Sequence, residues 1–581
     1  MDKKQVLENK KIELNNKLEL IKKKSMMFSI IRFIIFILFI LSFLLGIYVL
    51  KILYIIPIIL VTAFIIFAII HNNIFKNIDT LKYKIASIDH YLFKFSDKWK
   101  EISDRGNEYL DKDIYYQSDL DIFGNASLFQ YLNVSKTPYG KKYLSDSLKN
   151  NQFDDLSLRQ EAVLELSNNL DLALDIEAAS KFYYNQNKKC NSIVSLEELG
   201  NKIMNKVSIK PFFMVLVIVG IINLLTLTVL SLTKVIDFRF ILLGLIINLI
   251  ISFLLRQTMY DSLDIIFDID LTIDSYKEFL NITNYNVDAK LLKEYYSFIN
   301  KNKLAINSFK KKSSIINSRR NIIVSILGNG LFVFDYFCIR LYMGWQKKYS
   351  LDILEYIKAI GRIEELNSLA VIGRVKEDIC MPTIGLNLEF EDLKHPLIPS
   401  NKVVGNSFKL DGLDIITGSN MSGKTTFMRT IGVNMILFNA GTFVNGKNFS
   451  SKYMKIFTSM RATDDISEGI STFYAEILRI KNMLEYVKTN EDMLVLIDEI
   501  FKGTNTIDRL IGAKGVIKHL SNKNVYGIIA THDNELCASV AKNYHFEEAY
   551  DNDNITFDYK IKEGIAETTN AKHLMRLAGI I

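Results

Sequence analysis

The sequence predicts a multidomain chain: a mainly α-helical body with two membrane-spanning helical hairpins, ending in an α/β domain. Three observations predict this class. Four uncharged apolar runs fall in two pairs within the first 255 residues. Six prolines and 27 glycines in 581 residues favour long, uninterrupted helices. From about residue 380, apolar runs such as Leu413–Thr417, Met493–Asp498 and Val525–Ala530 alternate with longer helical stretches, as in a parallel sheet with crossover helices. Hydrophobic residues make up 49% of the chain and charged residues 23%, which suits soluble machinery on membrane anchors better than a polytopic transporter. The length allows three or four domains.

In chain order, residues 1–26 form a charged helix with eight lysines and four acids, including Lys22-Lys23-Lys24. The first hairpin covers 27–70. Phe33–Leu50 supplies 18 uncharged residues, Lys51 interrupts, and Ile52–Ile70 adds 19. As one helix these runs would reach about 57 Å against a hydrocarbon core of about 30 Å, so two spans turning near Lys51 fit better. A helical linker follows at 71–115. A helical core occupies 116–375, interrupted at 211–255 by the second hairpin, where Pro211–Thr233 and Phe240–Leu255 flank a short polar turn. The α/β domain covers 380–581. The N-terminal lysines place that end in the cytoplasm, and two hairpins return the chain there each time. The expectation is a multi-pass cell-membrane protein whose N-terminus, core and α/β domain are cytoplasmic. No small-residue cleavage site follows the first apolar run, so a cleavable signal is not expected.

The chemistry concentrates at strand ends of the α/β domain. Gly418-Ser419-Asn420-Met421-Ser422-Gly423-Lys424-Thr425 follows the strand Leu413–Thr417 and leads through Thr426 into a helix, the setting of a phosphate-binding loop. Backbone N–H groups of such a loop face a β-phosphate, Lys424 neutralises the β/γ oxygens, and Thr425 offers its hydroxyl to Mg²⁺. The strand Met493–Asp498 ends in Asp498-Glu499. Two carboxylates are costly in a core but useful at the mouth of a parallel sheet. There Asp498 holds Mg²⁺ through water, and Glu499 orients and deprotonates the attacking water. The third strand, Val525–Ala530, leads to Thr531-His532, whose imidazole can bond a γ-phosphate. The reading is ATP hydrolysis with Mg²⁺, and Lys424, Glu499 and His532 are its catalytic candidates.

Between these strands come Phe457-Thr458, Asp464-Asp465-Ile466-Ser467-Glu468-Gly469-Ile470-Ser471-Thr472-Phe473, Glu476 and Ile500–Asp508. Together with the glycine loop and Ala530-Thr531-His532, these segments closely resemble the MutS mismatch-repair ATPases, a branch of the ABC-type ATPases. The resemblance implies a P-loop ATPase of ABC type working as a dimer, here a homodimer. Ser471 and Thr472 would reach across to the partner's γ-phosphate. Lys394-His395-Pro396-Leu397 and Val404-Gly405-Asn406 look like the segment that meets adenine, so His395 and Asn406 join the nucleotide-binding set. Asn570–Ile581 resembles the family's helical dimerisation end. Upstream, Asp119–Gly124, Ser127-Leu128-Phe129, Thr137–Leu144 and Arg159–Val163 look like the start of the MutS core, from which lever helices run between DNA and ATPase. Ile322–Met343, apolar but containing Asp335 and Arg340, reads on that basis as a buried lever helix.

The chain also departs from the family. No Phe-x-Glu motif occurs in the first 160 residues, so the family's mismatch wedge is expected to be missing. A C-terminal nuclease-like domain is likewise not expected after Ile581. Between Glu294 and Asp335 there is no acid, while Lys301, Lys303, Lys310, Lys311, Lys312, Arg319 and Arg320 all fall in that stretch. Contact with DNA phosphates, attraction to anionic lipid headgroups and an ordinary solvated face are all open for it. Cys190, Cys338, Cys380 and Cys537 form no Cys-x-x-Cys pair, and the seven histidines form no metal constellation. The expected function is a membrane-anchored MutS-like ATPase that acts in a dimer and binds mismatched or structured DNA without a wedge. Its partners are DNA, a second copy and the bilayer, through about four transmembrane helices. The alternative is a membrane-bound mechanochemical ATPase with a protein or lipid client. An ABC transporter fits poorly, because Gly469-Ile470-Ser471-Thr472-Phe473 stands in place of Leu-Ser-Gly-Gly-Gln.

Overall fold

The computed structural model describes residues 2–48, 55–111, 113–149, 156–186, 192–204, 209–349, 352–419, 421–461, 472–501, 505–540, 542–551 and 554–566. Two compact units emerge. One comprises 1–134, 142–174 and 365–581, and the other 135–141 with 175–364.

The first unit opens with a helix of 46 residues, Lys3–Tyr48, packed along a second of 39, Ile55–Phe93. The charged N-terminal segment and the first apolar run are therefore one continuous helix rather than two elements. No proline or glycine falls between Asp2 and Leu45 to stop it. Its surroundings change along its length. Leu7, Leu14 and Leu18 are buried at 2%, 4% and 7% exposure, whereas Phe33 and Leu41 are 64% and 52% exposed. The lower half of the pair is thus a packed stalk, and the upper half presents apolar side chains outward. The turn expected at Lys51 lies outside the described residues. The linker expected at 71–115 is not one helix, because the helix from Ile55 ends at Phe93. The short 3-10 turns Asp97–Glu101 and Asn107–Tyr109 follow it.

The α/β part of this unit centres on a six-stranded sheet. Its order is Lys562–Glu563, Asn543–His545, Leu413–Thr417, Val525–Ala530, Met493–Asp498, Lys455–Ser459. All neighbours are parallel except the first pair. The runs Met493–Ile497 and Val525–Ala530 are wholly buried, as strands covered on both faces should be. Ile415, Val495, Ile497 and Ile529 pack with Ile480, Ala513 and Ile517 of the crossover helices Thr472–Val487 and Thr506–Leu520. Register pairs Ile416 with Ala530 and Ala530 with Asp498. Thr417, Asp498 and Thr531 therefore emerge together at one edge. A second sheet joins three strands that precede the glycine loop, Thr383–Ile384, Leu388–Leu393 and Asn406–Leu410, with Asn448–Ser451, which follows it, in the order Thr383–Ile384, Asn448–Ser451, Leu388–Leu393, Asn406–Leu410.

The second unit holds the other hairpin. Pro211–Leu232 starts with proline at its first turn, where a missing N–H costs nothing, and Arg239–Tyr276 returns over 38 residues. Across the described residues four helices are long and apolar enough to cross a membrane: the two opening helices and these two. The buried lever helix expected at Ile322–Met343 is corrected. The helix Ile322–Phe332 stops at Val333, which adopts φ 52°, and Phe334–Tyr349 leaves at 92°. Gly328-Asn329-Gly330 weakens the end of the first helix, and Asn329 Oδ1 accepts the N–H of Asp335 at 2.9 Å, capping the second. The first arm buries only Asn329 and Gly330, whereas the second buries Tyr342 and Trp345.

Candidate nucleotide-binding site

The glycine loop leaves Thr417 and enters the helix Lys424–Ala440. Gly418 has φ 141°, and a Cβ there would meet the Phe546 carbonyl at 2.5 Å, so both conformation and space demand glycine. Gly423, at φ 112°, sits immediately before the helix. Lys424 is 5% exposed and its Nζ donates to the carbonyls of Gly418 (2.6 Å) and Ser419 (2.8 Å). The ammonium is thus held over the loop, where phosphate oxygens can replace those carbonyls. Ser422 Oγ is buried at the loop and bonds no protein group. That orphaned hydroxyl, with the helix N-terminus beside it, fits an anion.

Thr425 Oγ1 donates to Asp498 Oδ2 at 2.5 Å, so the two residues assigned to Mg²⁺ stand together. A hydroxyl and a carboxylate are the hard oxygen donors that Mg²⁺ takes alongside waters and phosphate. Next to them Glu499 has φ 53°, a conformation that costs a non-glycine residue, and its N–H is tied to the Ala530 carbonyl at 2.9 Å. Its carboxylate meets His532 Nε2 at 3.0 Å. His532 is set by the following turn: Asp533 N–H donates to Thr531 Oγ1, and Arg509 grips the Asp533 carboxylate with two nitrogens at 3.0 Å each. Glu476 Oε1 accepts the Phe501 N–H at 2.6 Å, which fixes the segment after the acids to the helix Thr472–Val487.

A cavity of about 530 Å³ opens in front of the loop. Ser419, Met421, Ser422, Gly423, Lys424, Thr425, Thr426, Asp498 and Glu499 line one side of it, and His395, Lys402 and Asn406 the other. His532 stands behind Glu499 rather than on the wall. Burial, then the Arg429 and Lys376 charges, push the His395 imidazole down to about 3. The ring is therefore neutral, and its Nδ1 accepts the Leu397 N–H at 3.3 Å. Asn406 lines the cavity, but its amide bonds the Tyr559 carbonyl and the Ile561 N–H, both at 3.0 Å. It ties the wall together before it can read a base. Asn420, Ser471 and Asn570–Ile581 lie outside the described residues, as does the side chain of Thr472.

The structure adds residues that sequence patterns did not mark. Phe546 and Tyr559 line the cavity, and Glu548 Oε2 accepts the Ser419 hydroxyl at 2.8 Å. Asp119 receives Thr458 Oγ1 (2.6 Å) and the N–H groups of Met460 and Arg461 (both 3.1 Å). Asp121 pairs with Arg461 at 2.8 Å and with Arg429, on the loop's own helix, at 3.2 Å. The resemblance had marked Asp119-Leu120-Asp121 only as the start of a core domain. Its carboxylates in fact brace the nucleotide-binding fold. In the other unit, Lys303 and Lys310 lie on roughly the opposite side of the helix Lys290–Ser318 from Lys301 and Lys312. Lys310 is also paired with Asp274. The basic stretch is not one phosphate-facing stripe.

Parallel strands ending in a glycine loop, a hydroxyl–carboxylate pair and a glutamate–histidine pair define a P-loop nucleotide-binding domain. Residues 414–580 match the family model "MutS domain V". The chain is also 32% identical over 251 residues to a DNA mismatch repair protein MutS of Leptospira interrogans, in a match covering 40% of this chain and 29% of that protein. It is 35% identical over 242 residues to the MutS of Clostridium novyi, covering 38% and 26%. With the MutS of Methanococcoides burtonii it shares 31% over 250 residues, covering 40% and 28%. Residues 414–580 of this chain are therefore similar to MutS domain V. The chain spans less than a third of the length of these relatives.

Proposed function

We propose that this protein is a membrane-anchored MutS-type ATPase that binds ATP and Mg²⁺ in the cavity at Gly418–Thr425 and hydrolyses ATP in a dimer. One observation carries the reading: Thr425–Asp498 and Glu499–His532 converge at one end of a cavity floored by the glycine loop. Mg²⁺ would be held by Thr425 and Asp498 and would neutralise phosphate charge. Lys424 would move from the loop carbonyls to the phosphates. Glu499 would take the proton of the attacking water, with His532 orienting its carboxylate. The second subunit would complete each site through Ser471 and Thr472.

The names of the relatives, DNA mismatch repair proteins, support DNA as the client, and contact through its phosphates is part of the proposal. Binding of homoduplex, mismatched and branched DNA across a salt series tests this. Affinity falling steeply with salt, with branched DNA preferred over a single mispair, is the expected result. Absence of binding at low salt would remove DNA from the proposal.

A second reading, an ATP-driven machine with a protein or lipid client, is favoured by the stalk. Lys3 Nζ donates to the carbonyls of Gly373 (2.6 Å) and Lys376. Arg374 donates to Tyr91 Oη at 2.7 Å, and Lys376 Nζ to the carbonyl of Ile398 at 3.2 Å. Ile398 lines the cavity. Nucleotide-driven movement of that wall would be felt at the foot of the first hairpin whatever the client.

A further inference from the structure

The helix Ile322–Phe332 is apolar except for one narrow face carrying Ser325 and Asn329. Ile322, Ile323, Ile326, Leu327 and Phe332 are 72%, 64%, 52%, 58% and 58% exposed, and they point to several sides of the helix. A helix of this kind is stable only inside protein or lipid, since each exposed Å² of apolar surface in water forgoes about 25 cal/mol. Its 11 residues reach about 16 Å, half of a hydrocarbon core of about 30 Å.

Its position identifies the cover. Asn248, fully buried, lies near the middle of the candidate span Arg239–Arg256. A side-chain amide at that depth needs a protein partner, because lipid offers none. The partner is the arm: Asn248 Nδ2 donates to the Gly330 carbonyl at 2.8 Å, and Ser252 Oγ donates to Asn329 Oδ1 at 3.1 Å. The outward apolar surface of the span, including Leu242, Ile246 and Ile250, is 57%, 53% and 53% exposed. It continues onto the arm. Arg319, just before the arm, meets Asp335, just after it, at 3.9 Å, with the two side chains 13% and 3% exposed, so the charges flanking the arm neutralise each other.

We propose that Ile322–Phe332 is a fifth membrane-embedded segment. It is a re-entrant arm inserted into the cytoplasmic leaflet beside the second hairpin, with acyl chains covering its apolar faces and Arg320 at the level of the lipid phosphates. The proposal rests on the membrane reading of that hairpin. It assigns the end of the basic stretch to the bilayer surface rather than to DNA.

The test uses the full chain in proteoliposomes, with Cys190, Cys338, Cys380 and Cys537 replaced by alanine and one cysteine bearing an environment-sensitive fluorophore. The probe is placed at Leu327, at Leu225 on the hairpin, or at Leu304 on the preceding helix, the last two being 59% and 73% exposed. Lipids brominated along the acyl chain should quench the Leu327 probe by as large a fraction as the Leu225 probe. Aqueous iodide should quench it several-fold less than the Leu304 probe. Iodide quenching at Leu327 equal to that at Leu304, with Leu225 still quenched by lipid, would overturn the arm while leaving the hairpin standing. Protection of Leu327 from both quenchers would mean a protein cover and would also overturn it. Failure of lipid quenching at Leu225 itself would remove the membrane reading and the arm with it.

Discussion

At the residue scale, Glu499 and Phe501 hold positive φ values of 53° and 60° on either side of Ile500. Strain of this kind costs of order 1–3 kcal/mol at each residue and persists where geometry is imposed from outside. Here the Ala530 carbonyl and Glu476 impose it, and the result is a carboxylate aimed past Asp498 and against His532. Replacing His532 with alanine should lower ATP turnover by on the order of a hundredfold while leaving nucleotide affinity nearly unchanged. Steady-state kinetics beside equilibrium binding of a labelled nucleotide would show the split. A second residue bears on stability alone. Asp414 is 3% exposed within the strand before the loop, and burial raises its carboxyl to about 6. The folded chain keeps this proton more tightly than the unfolded chain. Stability is therefore lost as pH rises from about 4 to about 6 and is flat above that window. Asp414→Asn should stabilise the protein at pH 7.5 by about 1–2 kcal/mol once solvent screening is allowed for, and the gain should vanish below about pH 4. Thermal melts at the two pH values check it. Lys424, Thr425, Asp498 and Glu499 were legible because each sits next to a long apolar strand in chain order. Phe546, Glu548 and Tyr559 were not, because they reach the loop through strand order, with Asn543–His545 pairing beside Leu413–Thr417.

At the scale of elements, the stalk shows how far periodicity reaches. Apolar runs mark the candidate membrane spans, but the charged segment looks like a separate element in the sequence because charge, not helix, changes near Lys24. Buried Leu7, Leu14 and Leu18 reveal the continuity only once their partner helix is in place. The break at Val333 was hidden for a related reason: no proline marks it, and the turn rests on Gly328-Asn329-Gly330, on Val333 at φ 52° and on Asn329 accepting the Asp335 N–H. Arg374 fastens the stalk. It is 5% exposed and donates to Tyr91 Oη, to the Leu166 carbonyl at 2.9 Å and to Asn367 Oδ1 at 2.5 Å. Tyr91→Phe removes one bond to a buried cation and should cost about 2 kcal/mol, seen as a lower Tm. The same change should loosen the foot of the hairpin, read as faster amide exchange over residues 3–18.

At the scale of the whole molecule, a region similar to MutS domain V at residues 414–580 shares the chain with four helices long and apolar enough to cross a membrane. If each site is completed by a second copy, a Lys424→Ala subunit mixed with a Ser471→Arg subunit should recover one intact site of two. Activity should return where neither variant alone has any, and full turnover by an isolated monomer would contradict this. If the hairpins span the bilayer, carbonate washing should leave the protein in the membrane fraction. The most direct measurement is ATP turnover and nucleotide retention by Glu499→Gln beside the wild type, both in proteoliposomes with Mg²⁺. The account predicts that the variant binds ATP as tightly as the wild type, loses hydrolysis by at least about a hundredfold, and stays locked as an ATP-bound dimer. Hydrolysis by Glu499→Gln at the wild-type rate would contradict it.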